Sequence, residues 1–392
     1  MKRILIANVG STSYKYTVFE VDSKGACIEL VRGGIERVSD YESAISQSLA
    51  DLESKGFAKS SIDAVAFKTV VGGDVSGLRE ADEKVVDALE AMAYVAPAHN
   101  PPYAAAIRAF GRVLPSARKV ALFETSFYQW ADEAWKRYAV PQKWYEIGIR
   151  RYGFHGASHK FAAERVAELC GEAEAVESAR MLYVNNGRMP LKRHFRMVNC
   201  HLGGSSSVCG IFDGAAVGAS MGFTPQSGLP QNNRVGDLDA MAIPFAMETL
   251  KINVEEAVRQ LSKEGGLLGI SGVSNDMRDV RAAADAGNES AKAAIDVLAY
   301  SARSYIGQFM AQMGGLDAIG FSGGIAENNP WLRAKILEPL AGLGLKIDAQ
   351  RNSALVKSEG VFSSPDSKIK AVAVVANEEI VIVREVARYI EK

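Results

Sequence analysis

The same hairpin pattern occurs twice in the chain, once at its start and once near its middle. In the first copy, an apolar run over 4–8 leads through the turn Gly10-Ser11-Thr12-Ser13 into a returning strand. In the second copy, an apolar run over 197–201 leads through Gly204-Ser205-Ser206-Ser207 into another returning strand. Short apolar runs bounded by Gly/Ser turns predict β-hairpins. We interpret the two copies as a weak internal duplication of β-β-β-α units, although two such turns can also resemble each other by chance.

Helical patterns alternate with strand patterns along the rest of the chain. Ile45, Leu49 and Leu52 stand at i, i+4 and i+7, which predicts a helix ahead of the apolar strand 64–67. Further helical patterns cover 254–261, 290–313 and 379–390. This alternation is typical of an α/β architecture. A length of 392 residues, 48% of them hydrophobic, predicts two domains rather than one.

Charge and composition narrow the function classes. The net charge of −1 shows no basic excess for nucleic acid and no acidic block typical of a disordered tail. The apolar start over 4–7 is too short for a signal-peptide core, and no apolar run approaches the ~20 residues of a membrane span. The four cysteines lack Cys-x-x-Cys spacing, so we expect them to be reduced and buried. These features predict a cytoplasmic protein without nucleic-acid or membrane partners.

Glycine and small hydroxyl residues mark three segments that suit contact with phosphate or a nucleoside. Glycine lets the backbone approach an anion, and successive N–H groups and hydroxyls donate to its oxygens. The two hairpins are not Walker loops, because they lack Gly-Lys-Ser/Thr and lead into strands rather than helices. The third segment, Gly323-Gly324-Ile325-Ala326-Glu327-Asn328, follows an apolar stretch over 316–319. Each pattern alone also fits an ordinary turn.

Two of the five histidines stand in unusual surroundings. His99 lies in the Pro-stiffened loop Ala96-Pro97-Ala98-His99-Asn100-Pro101-Pro102. His155 lies between two glycines, close to Arg150 and Arg151. A lone histidine is more often a structural residue, and we favour that interpretation for His159. A histidine flanked by glycine, arginine and an aromatic ring is a better candidate for a binding or catalytic role.

Arg234 and the Asn377-Glu378-Glu379 segment are candidates for charged ligands. An arginine in a Gly/Asn-rich loop is usually a solvated charge, but it can also clamp phosphate or carboxylate through two hydrogen bonds. The paired carboxylates follow an apolar strand over 372–375. Carboxylates at a strand end suit Mg²⁺, which takes one or two of them together with phosphate and water. The start of a helix explains the same acids, and both interpretations can hold at once.

Taken in order, these segments resemble the acetate kinase family, within the superfamily of actin, the sugar kinases and the heat-shock chaperones. The similarity runs from Asn8-Val9-Gly10-Ser11 to Asn377-Glu378-Glu379, nearly the whole chain. The motifs specific to that family are His99-Asn100-Pro101-Pro102, Tyr152-Gly153-Phe154-His155-Gly156, Met221-Gly222-Phe223-Thr224-Pro225 and Gly266-Leu267-Leu268-Gly269-Ile270-Ser271-Gly272.

The resemblance implies a fold, a reaction and partners. The fold is α/β, with two duplicated ribonuclease-H-like (actin-like ATPase) domains around a central cleft. The N-terminal domain covers 1–148 plus 380–392, and the C-terminal domain, with most nucleotide contacts, covers 149–379. The reaction is reversible, direct in-line phosphorylation of a short-chain carboxylate by ATP, giving an acyl phosphate and ADP. The metal is Mg²⁺ or Mn²⁺, and the expected assembly is a homodimer.

The resemblance also assigns residues, position by position. The metal is assigned to Asn8 and Glu378. The catalytic residues are Lys68, His99, Glu124, His155 and Arg234. The nucleotide-binding residues are His201, Gly203, Gly204, Ser205, Asp276, Met277, Arg278, Gly323, Gly324, Ile325, Glu327 and Asn328. For His201 a structural role at a strand end is the stronger interpretation from the residues alone. The acyl pocket is assigned to Val70, Ala98, Phe154 and Pro225.

Several positions depart from the family pattern. Lys68 stands where the family has Arg, and Glu124 stands where it has Asp. Gly203-Gly204-Ser205 replaces Gly-Asn-Gly, which is closer to the butyrate kinases, and Pro230-Gln231-Asn232-Asn233 replaces Met-Met-Gly-Thr. Ala98 replaces a Leu beside the loop histidine. These changes leave two alternatives open: a kinase for propionate or butyrate, and a nucleotide-binding homologue with weakened catalysis.

Overall fold

Two six-stranded sheets organise the chain, one in each of two units. The structure is a computed structural model that describes residues 1–10, 12–22 and 25–391, so Ser11 of the first hairpin lies outside the described residues. The first unit contains Met1–Gln129, Phe154–Phe161 and the segment from Asn377 onward. The second unit contains Trp130–Gly153 and Ala162–Ala376.

The first sheet has the strand order β3-β2-β1-β4-β6-β5. Its strands are β1 (Lys2–Val9), β2 (Ser13–Val21), β3 (Cys27–Glu36), β4 (Ala64–Thr69), β5 (Leu78–Glu80) and β6 (Arg118–Phe123). β1, β2 and β3 form an antiparallel meander. β1, β4 and β6 are parallel, and β5 closes the edge antiparallel to β6.

The second sheet has the strand order β11-β12-β10-β7-β8-β9. Its strands are β7 (Arg196–Leu202), β8 (Ser206–Phe212), β9 (Ala215–Ala219), β10 (Ala318–Ser322), β11 (Gly360–Val361) and β12 (Lys370–Ala373). β7, β8 and β9 form an antiparallel meander. β7, β10 and β12 are parallel, and the edge strand β11 is antiparallel to β12. The two sheets therefore have the same topology in the same chain order, which confirms the predicted duplication.

Helices fill the connections between the strands. In chain order they are α1 (Tyr41–Ser54), α2 (Glu83–Ala91), α3 (Asn100–Val113), α4 (Glu133–Lys136), α5 (Gln142–Glu146), α6 (Gly156–Leu169), α7 (Ala173–Met181), α8 (Ala242–Leu250), α9 (Val254–Lys263), α10 (Gly266–Ser271), α11 (Met277–Asp285), α12 (Glu289–Gln312), α13 (Gly324–Asn328), α14 (Pro330–Leu337), α15 (Ala349–Ala354) and α16 (Glu378–Ile390). Short 3₁₀ helices occur at Lys59–Ser61, Glu124–Tyr128 and Glu338–Leu343. The predicted stripe of Ile45, Leu49 and Leu52 is the buried face of α1.

The unit boundaries differ from the sequence-based domains, which placed 1–148 and 380–392 in the first domain and 149–379 in the second. Residues from Trp130 onward pack in the second unit, where Trp135 Nε1 donates to the carbonyl of Ala219 on β9 at 3.3 Å. Phe154–Phe161 returns to the first unit, because the Tyr128 hydroxyl donates to the Phe154 carbonyl at 2.5 Å. Glu378 belongs to the first unit, because α16 packs on β1 and β4.

Each unit has its own apolar core, built from the buried faces of its sheet and helices. The four cysteines are free thiols. Cys200 and Cys209 are buried as predicted, but Cys27 and Cys170 are partly exposed, because they lie at the start of β3 and just after α6 rather than inside a sheet. Among the residues that the structure describes, no helix has both the length and the apolar character needed to cross a membrane.

Candidate active site

Three predicted site residues lie at adjacent strand ends of the first sheet. Ala7 is paired with Phe67 in the parallel ladder, which places Asn8 beside Lys68. Glu124 directly follows the last residue of β6, the strand on the other side of β4. Ligands of open α/β sheets bind outside the carboxyl ends of parallel strands. This edge of the first sheet is therefore the natural position for a site.

Lys68, Glu378 and Glu124 form a charge cluster at that edge. The ammonium Nζ of Lys68 lies 2.5 Å from Glu378 Oε1 and 3.4 Å from Glu124 Oε1. Glu378 is the first residue of α16, so the cluster joins the C-terminal helix to β4 and to the turn after β6. The Glu124 side chain is only 7% exposed, whereas those of Lys68 and Glu378 are 23% and 30% exposed. The cluster carries one positive and two negative groups when all three are charged.

The pKa values of the cluster reflect burial and mutual attraction. Burial alone lowers the pKa of Lys68, but the carboxylates of Glu378 and Glu124 outweigh it and raise that pKa above its usual range. Lys68 is therefore a permanent cation at neutral pH. Burial raises the pKa of Glu124, the Lys68 ammonium opposes the rise, and the nearby Glu378 carboxylate adds to it. Like charges in one site disfavour full ionisation of both acids, so a further cation there stabilises the ionised pair.

The donors at this edge fit Mg²⁺. Asn8 offers an amide oxygen, and Glu378 and Glu124 offer carboxylates, which are the hard oxygen ligands that Mg²⁺ prefers. Oε2 of Glu124 is buried and has no hydrogen-bond partner among the described residues. Among the described residues, no group of three or more His, Cys, Asp or Glu side chains is arranged to hold a metal ion. The donors therefore suit an ion that takes one or two protein ligands and completes its shell with phosphate and water.

His155 is held in a strained backbone conformation beside Glu124. Its φ angle is 59°, which places a residue with a side chain in the left-handed region. A Cβ added to Gly156 would lie 2.0 Å from the carbonyl oxygen of Glu124, so only glycine fits there. The Phe154 carbonyl accepts a hydrogen bond from Tyr128, in the 3₁₀ turn that begins at Glu124. Strain of this kind is often found at functional sites, and here the close packing of Gly156 and the hydrogen bond to Phe154 hold His155 against the turn that carries Glu124.

The loop of His99 is anchored by its neighbour. His99 is exposed at the start of α3. Asn100 is fully buried, and its side-chain amide donates to the carbonyls of Val71 at 2.8 Å and Leu89 at 2.9 Å. The two residues of the His99-Asn100 pair therefore have different surroundings. Asn100 holds the loop in place, and His99 is exposed at the surface.

The four predicted acyl-pocket residues have different surroundings. Val70 and Phe154 are buried in the first unit, at 9% and 2% exposure. Ala98 is exposed next to His99, and Pro225 is partly exposed in the second unit. The short side chain at Ala98 therefore leaves open space at the surface of the His99 loop, where the family pattern has a leucine.

In the second unit, Arg234 is held by neutral oxygens. Its Nη1 donates to Ser205 Oγ and to Gln231 Oε1, both at 3.2 Å, and Ser205 itself donates to Gln231 at 2.9 Å. No carboxylate within the described residues forms an ion pair with it, and burial lowers its pKa from the ordinary arginine value. A partly buried cation without a counter-ion is a strong anion-binding group.

Gln231 was missed by the sequence reasoning as a site residue. It is 1% exposed, and its amide nitrogen donates to the Pro225 carbonyl at 2.7 Å. One side chain thus joins the Phe223-Thr224-Pro225 segment to Ser205 and Arg234. The one feature of the sequence that could have indicated Gln231 is its place in the stretch 230–233, which departs from the family pattern.

The family-specific run that starts at Gly266 supports the Arg234 loop. Gly266 has a φ of 60°, and a Cβ there would lie 2.0 Å from the Gln231 carbonyl oxygen and 2.7 Å from that of Arg234. The Leu267 N–H donates to the Gln231 carbonyl at 2.8 Å. Close backbone packing therefore requires glycine at position 266. This packing stabilises the loop that carries Gln231 and Arg234.

The predicted nucleotide segments of the second unit differ in how open they are. Gly204 and Gly324 are exposed, and no heavy atom within 4 Å would meet a Cβ at Gly324. Glu327 instead faces inward, where one of its oxygens accepts from the N–H groups of Gly323 at 2.9 Å and Ala376 at 3.1 Å. Glu327 therefore holds the loop between β10 and α13 through one of its two carboxylate oxygens.

The remaining nucleotide candidates are also partly structural. Asp276 caps α11 and accepts from Arg278 Nε at 3.0 Å, while Met277 is a core residue at 3% exposure. His201 lies in β7, paired with Ser322, and its Nδ1 is 3.5 Å from the Ser322 hydroxyl. Gly203 donates its N–H to Ser206 Oγ at 3.2 Å inside the hairpin turn. Among these nucleotide-binding candidates, the Arg278 guanidinium is the most exposed charged hydrogen-bond donor.

Comparison with known proteins shows the family of the chain. The model of the acetokinase family matches residues 33–384. The chain belongs to the acetokinase family. It is 35% identical to an acetate kinase of Bacillus cytotoxicus, over 99% of both chains. The chain is accordingly a phosphotransferase with a carboxyl group as acceptor, of a family that uses ATP.

Solved structures show the same fold. The crystal structure of Porphyromonas gingivalis acetate kinase matches this chain with a TM-score of 0.88 at 29% identity, covering 100% of both chains. A propionate kinase from Francisella tularensis matches with a TM-score of 0.82 at 28% identity, over 98% of this chain and 99% of that one. Similarity to both confirms the predicted two-domain, actin-like fold.

The strain at His155 predicts an unusual order of stabilities. Because alanine pays a left-handed penalty that glycine avoids, we expect His155→Gly to be about 1 kcal/mol more stable than His155→Ala. Urea unfolding of the two variants measures the difference. At Ala50, exposed in the middle of α1, the same comparison should reverse, with Ala50→Gly about 1 kcal/mol less stable than the wild type. A His155→Ala variant as stable as His155→Gly would contradict the strain.

Proposed function

We propose that the protein transfers the γ-phosphoryl group of ATP to a short-chain carboxylate, giving an acyl phosphate and ADP, and that it catalyses the reverse reaction. The observation that carries this proposal is Arg234, a partly buried cation that neutral oxygens hold ready for an anion. Membership of the acetokinase family supports the reaction class. The first unit supplies a second set of charged groups around Lys68.

The reaction needs positioning and charge neutralisation rather than a base. A carboxylate is already ionised at neutral pH, so its oxygen attacks the γ-phosphorus directly. The bond from phosphorus to the bridging oxygen of ADP breaks as the new bond forms, in line. We assign neutralisation of the phosphoryl oxygens to Arg234, Lys68 and His155, and a phosphate contact to His99. Glu124, with its unpartnered Oε2, is suited to orient water at the site.

Asn8 and Glu378 are assigned to hold Mg²⁺, or Mn²⁺ in its place. When bound, the ion supplies positive charge to the phosphates of the nucleotide. Glu378 is already fixed by Lys68, and Asn8 lies on the neighbouring strand. Glu379, the next residue of α16, is engaged elsewhere, since it accepts from Arg32 at 2.8 Å. Both acids pair with a cation, but only Glu378 does so in the cluster with Lys68 and Glu124 at the sheet edge, and this position supports it as the metal ligand.

The nucleotide is assigned to the second unit. The exposed Gly204, between the half-buried Gly203 and Ser205, suits phosphate, and the open glycine at Gly324 suits close approach of the nucleoside. Arg278 adds an exposed cation at the start of α11. Glu327 and Met277 support these segments from inside. The cytoplasmic location expected from the sequence remains a prediction.

Helix α8 supports a homodimer. None of its residues is buried, although it is rich in apolar side chains. Met241 and Phe245 are each 71% exposed and Leu250 is 60% exposed, while Val254 and Val258 of α9 extend the surface. An exposed apolar patch of this kind marks an interaction site, and we propose that a second copy of this chain covers it. A particle mass in solution of twice 42.1 kDa supports this assembly, and a monomer contradicts it.

A screen of short carboxylates tests the proposed reaction directly. The protein is incubated with ATP, Mg²⁺ and one acid at a time, and hydroxylamine traps the acyl phosphate as a hydroxamate while ADP is measured in parallel. We expect ADP and hydroxamate to appear together and only when the acid is present. ADP formation that does not depend on any acid, with no hydroxamate, would contradict the proposal.

Arg234→Ala should reduce kcat by about two orders of magnitude, because removal of one preorganised charge-stabilising donor costs roughly 3 kcal/mol in the transition state. Steady-state kinetics measure the loss, and circular dichroism checks that the fold is intact. Arg351→Ala is the matched control, since Arg351 is an exposed arginine on α15 that pairs with Asp348 at 3.3 Å. The role of Arg234 is wrong if its variant keeps more than half of the wild-type turnover.

The small side chain at Ala98, where the family has leucine, predicts a preference for longer acids. An extra methylene that fills the space left by the missing leucine contributes about 0.8 kcal/mol, and pocket discrimination per methylene is roughly 10- to 200-fold. We expect kcat/KM for propionate or butyrate to equal or exceed that for acetate. Ala98→Leu should shift the preference back towards acetate. Ala105→Leu, the same change on an exposed position of α3, should not. A tenfold wild-type preference for acetate that Ala98→Leu leaves unchanged would end this idea.

A further inference from the structure

The side-chain amide of Gln231 is hydrogen-bonded at both ends within the second unit. Its Nε2 donates to the Pro225 carbonyl at 2.7 Å, and its Oε1 accepts from Ser205 Oγ at 2.9 Å and from Arg234 Nη1 at 3.2 Å. A carbonyl oxygen only accepts hydrogen bonds and a guanidinium only donates them, so these neighbours admit one orientation of the amide. Gln231 is 1% exposed. Its oxygen is therefore held facing the Arg234 guanidinium.

Backbone hydrogen bonds hold the same loop independently of that side chain. The Gln231 N–H donates to the Arg234 carbonyl at 3.0 Å, and the Leu267 N–H donates to the Gln231 carbonyl at 2.8 Å. A replacement of the Gln231 side chain leaves these backbone groups in the chain. We therefore expect the loop to keep its backbone course when the amide is removed, so that the contact with the Arg234 guanidinium can be tested by itself.

Ser205 and Gln231 both belong to segments that depart from the family pattern. Ser205 takes the place of the second glycine of Gly-Asn-Gly, and Gln231 takes the place of the second methionine of Met-Met-Gly-Thr. In this chain the two side chains are bonded to each other at 2.9 Å, and the side-chain oxygen of each lies 3.2 Å from Arg234 Nη1. Glycine has no side chain, and methionine offers only a weak acceptor. The two departures therefore form one polar pair that contacts the arginine.

We propose that Ser205 and Gln231 are positioning residues for phosphoryl transfer, which together orient the Arg234 guanidinium without neutralising its charge. This inference deepens the proposed function and rests on it. A carboxylate in their place would orient the guanidinium but also pair with its charge, whereas a hydroxyl and an amide are neutral. The competing explanations are that Gln231 only fills space, or that it acts through Pro225 rather than through Arg234.

Gln231→Met keeps a side chain of similar length and deletes the amide. We expect kcat to fall about tenfold, which corresponds to about 1.4 kcal/mol, and the KM for ATP to stay within about twofold, because Arg234 is assigned to the transition state. Gln260→Met is the matched control, since Gln260 is a half-buried glutamine on α9 whose amide donates to Glu256 at 2.8 Å. It should leave kcat within about twofold of the wild type. A wild-type kcat in Gln231→Met, or an equal loss in Gln260→Met, would overturn the inference.

The same replacement in the Arg234→Ala background tests whether Gln231 acts through Arg234. Without the guanidinium the amide has nothing to orient, so Gln231→Met should lower the remaining kcat less than about twofold. Residues that act through one another show such non-additive effects. A full further loss of about tenfold would place the effect at Pro225 or elsewhere, and would contradict the inference.

A measurement that does not depend on activity tests the pair itself. Gln231→Met is made in the wild-type and in the Ser205→Gly background, and each protein is unfolded in urea. The loss of stability caused by Gln231→Met should be clearly smaller in the Ser205→Gly background, because the hydrogen bond between the two side chains is already absent there. Gln260→Met should cause the same shift in both backgrounds. Equal shifts for Gln231→Met would contradict the inference. A wild type that makes no acyl phosphate would instead contradict the proposed function, and this coupling would still decide whether Ser205 and Gln231 act together.

Discussion

One ammonium group, that of Lys68, holds two carboxylates together at the edge of the first sheet. It lies 2.5 Å from Glu378 and 3.4 Å from Glu124. Without it, two acids in a largely buried position would repel each other, and one would take up a proton. The three residues come from distant parts of the chain: β4, the turn after β6 and the first turn of α16. The two ion pairs of one lysine therefore connect the C-terminal helix, the central strands and the proposed metal ligand in one arrangement.

In the second unit, the candidate cation Arg234 lies beside neutral groups rather than carboxylates. Arg234 has only Ser205 and Gln231 as hydrogen-bond partners among the described residues, and neither is charged. Its charge therefore has no carboxylate partner among the described residues, whereas the charge of Lys68 is shared by two acids. A phosphoryl transfer that proceeds by positioning and charge neutralisation needs both kinds of group. A fixed cation beside acids suits a metal and its phosphates, and an uncompensated cation suits the moving phosphoryl oxygens.

Much of the fold could be predicted from local patterns. The two Ser/Gly hairpins predicted a duplication, and the sheets share one topology because each starts from the same antiparallel meander. The predicted boundary after residue 148 differs from the units because it depends on contacts distant in sequence. Trp135 packs against β9, and Phe154 is held by Tyr128. No local pattern encodes either contact.

The sequence indicated some residues of the candidate site but not the side chains that support them. Motifs with glycine, proline or charge were visible in the sequence, and they include His155 and Arg234, whereas Lys68 was assigned only through the family resemblance. Gln231 was not recognised, since an amide is informative only when its partners are known. Glu327 was assigned to the nucleotide, but its carboxylate accepts two backbone N–H groups inside the protein. Side chains that support a site are therefore the part that sequence patterns leave open.

The central claim is that Glu378, fixed by Lys68, is the metal ligand of a phosphoryl-transfer site. The Mg²⁺ dependence of ADP formation tests it most directly, in Glu378→Gln and in Glu379→Gln. The two acids are neighbours in the first turn of α16, but Glu379 is paired with Arg32 at 2.8 Å and also lies 3.4 Å from Thr17. We predict that Glu378→Gln loses activity, or needs at least about tenfold more Mg²⁺ for half-maximal rate, as expected for loss of a carboxylate ligand. Glu379→Gln should titrate like the wild type. An unchanged Mg²⁺ dependence in Glu378→Gln, or a shift confined to Glu379→Gln, would contradict the claim.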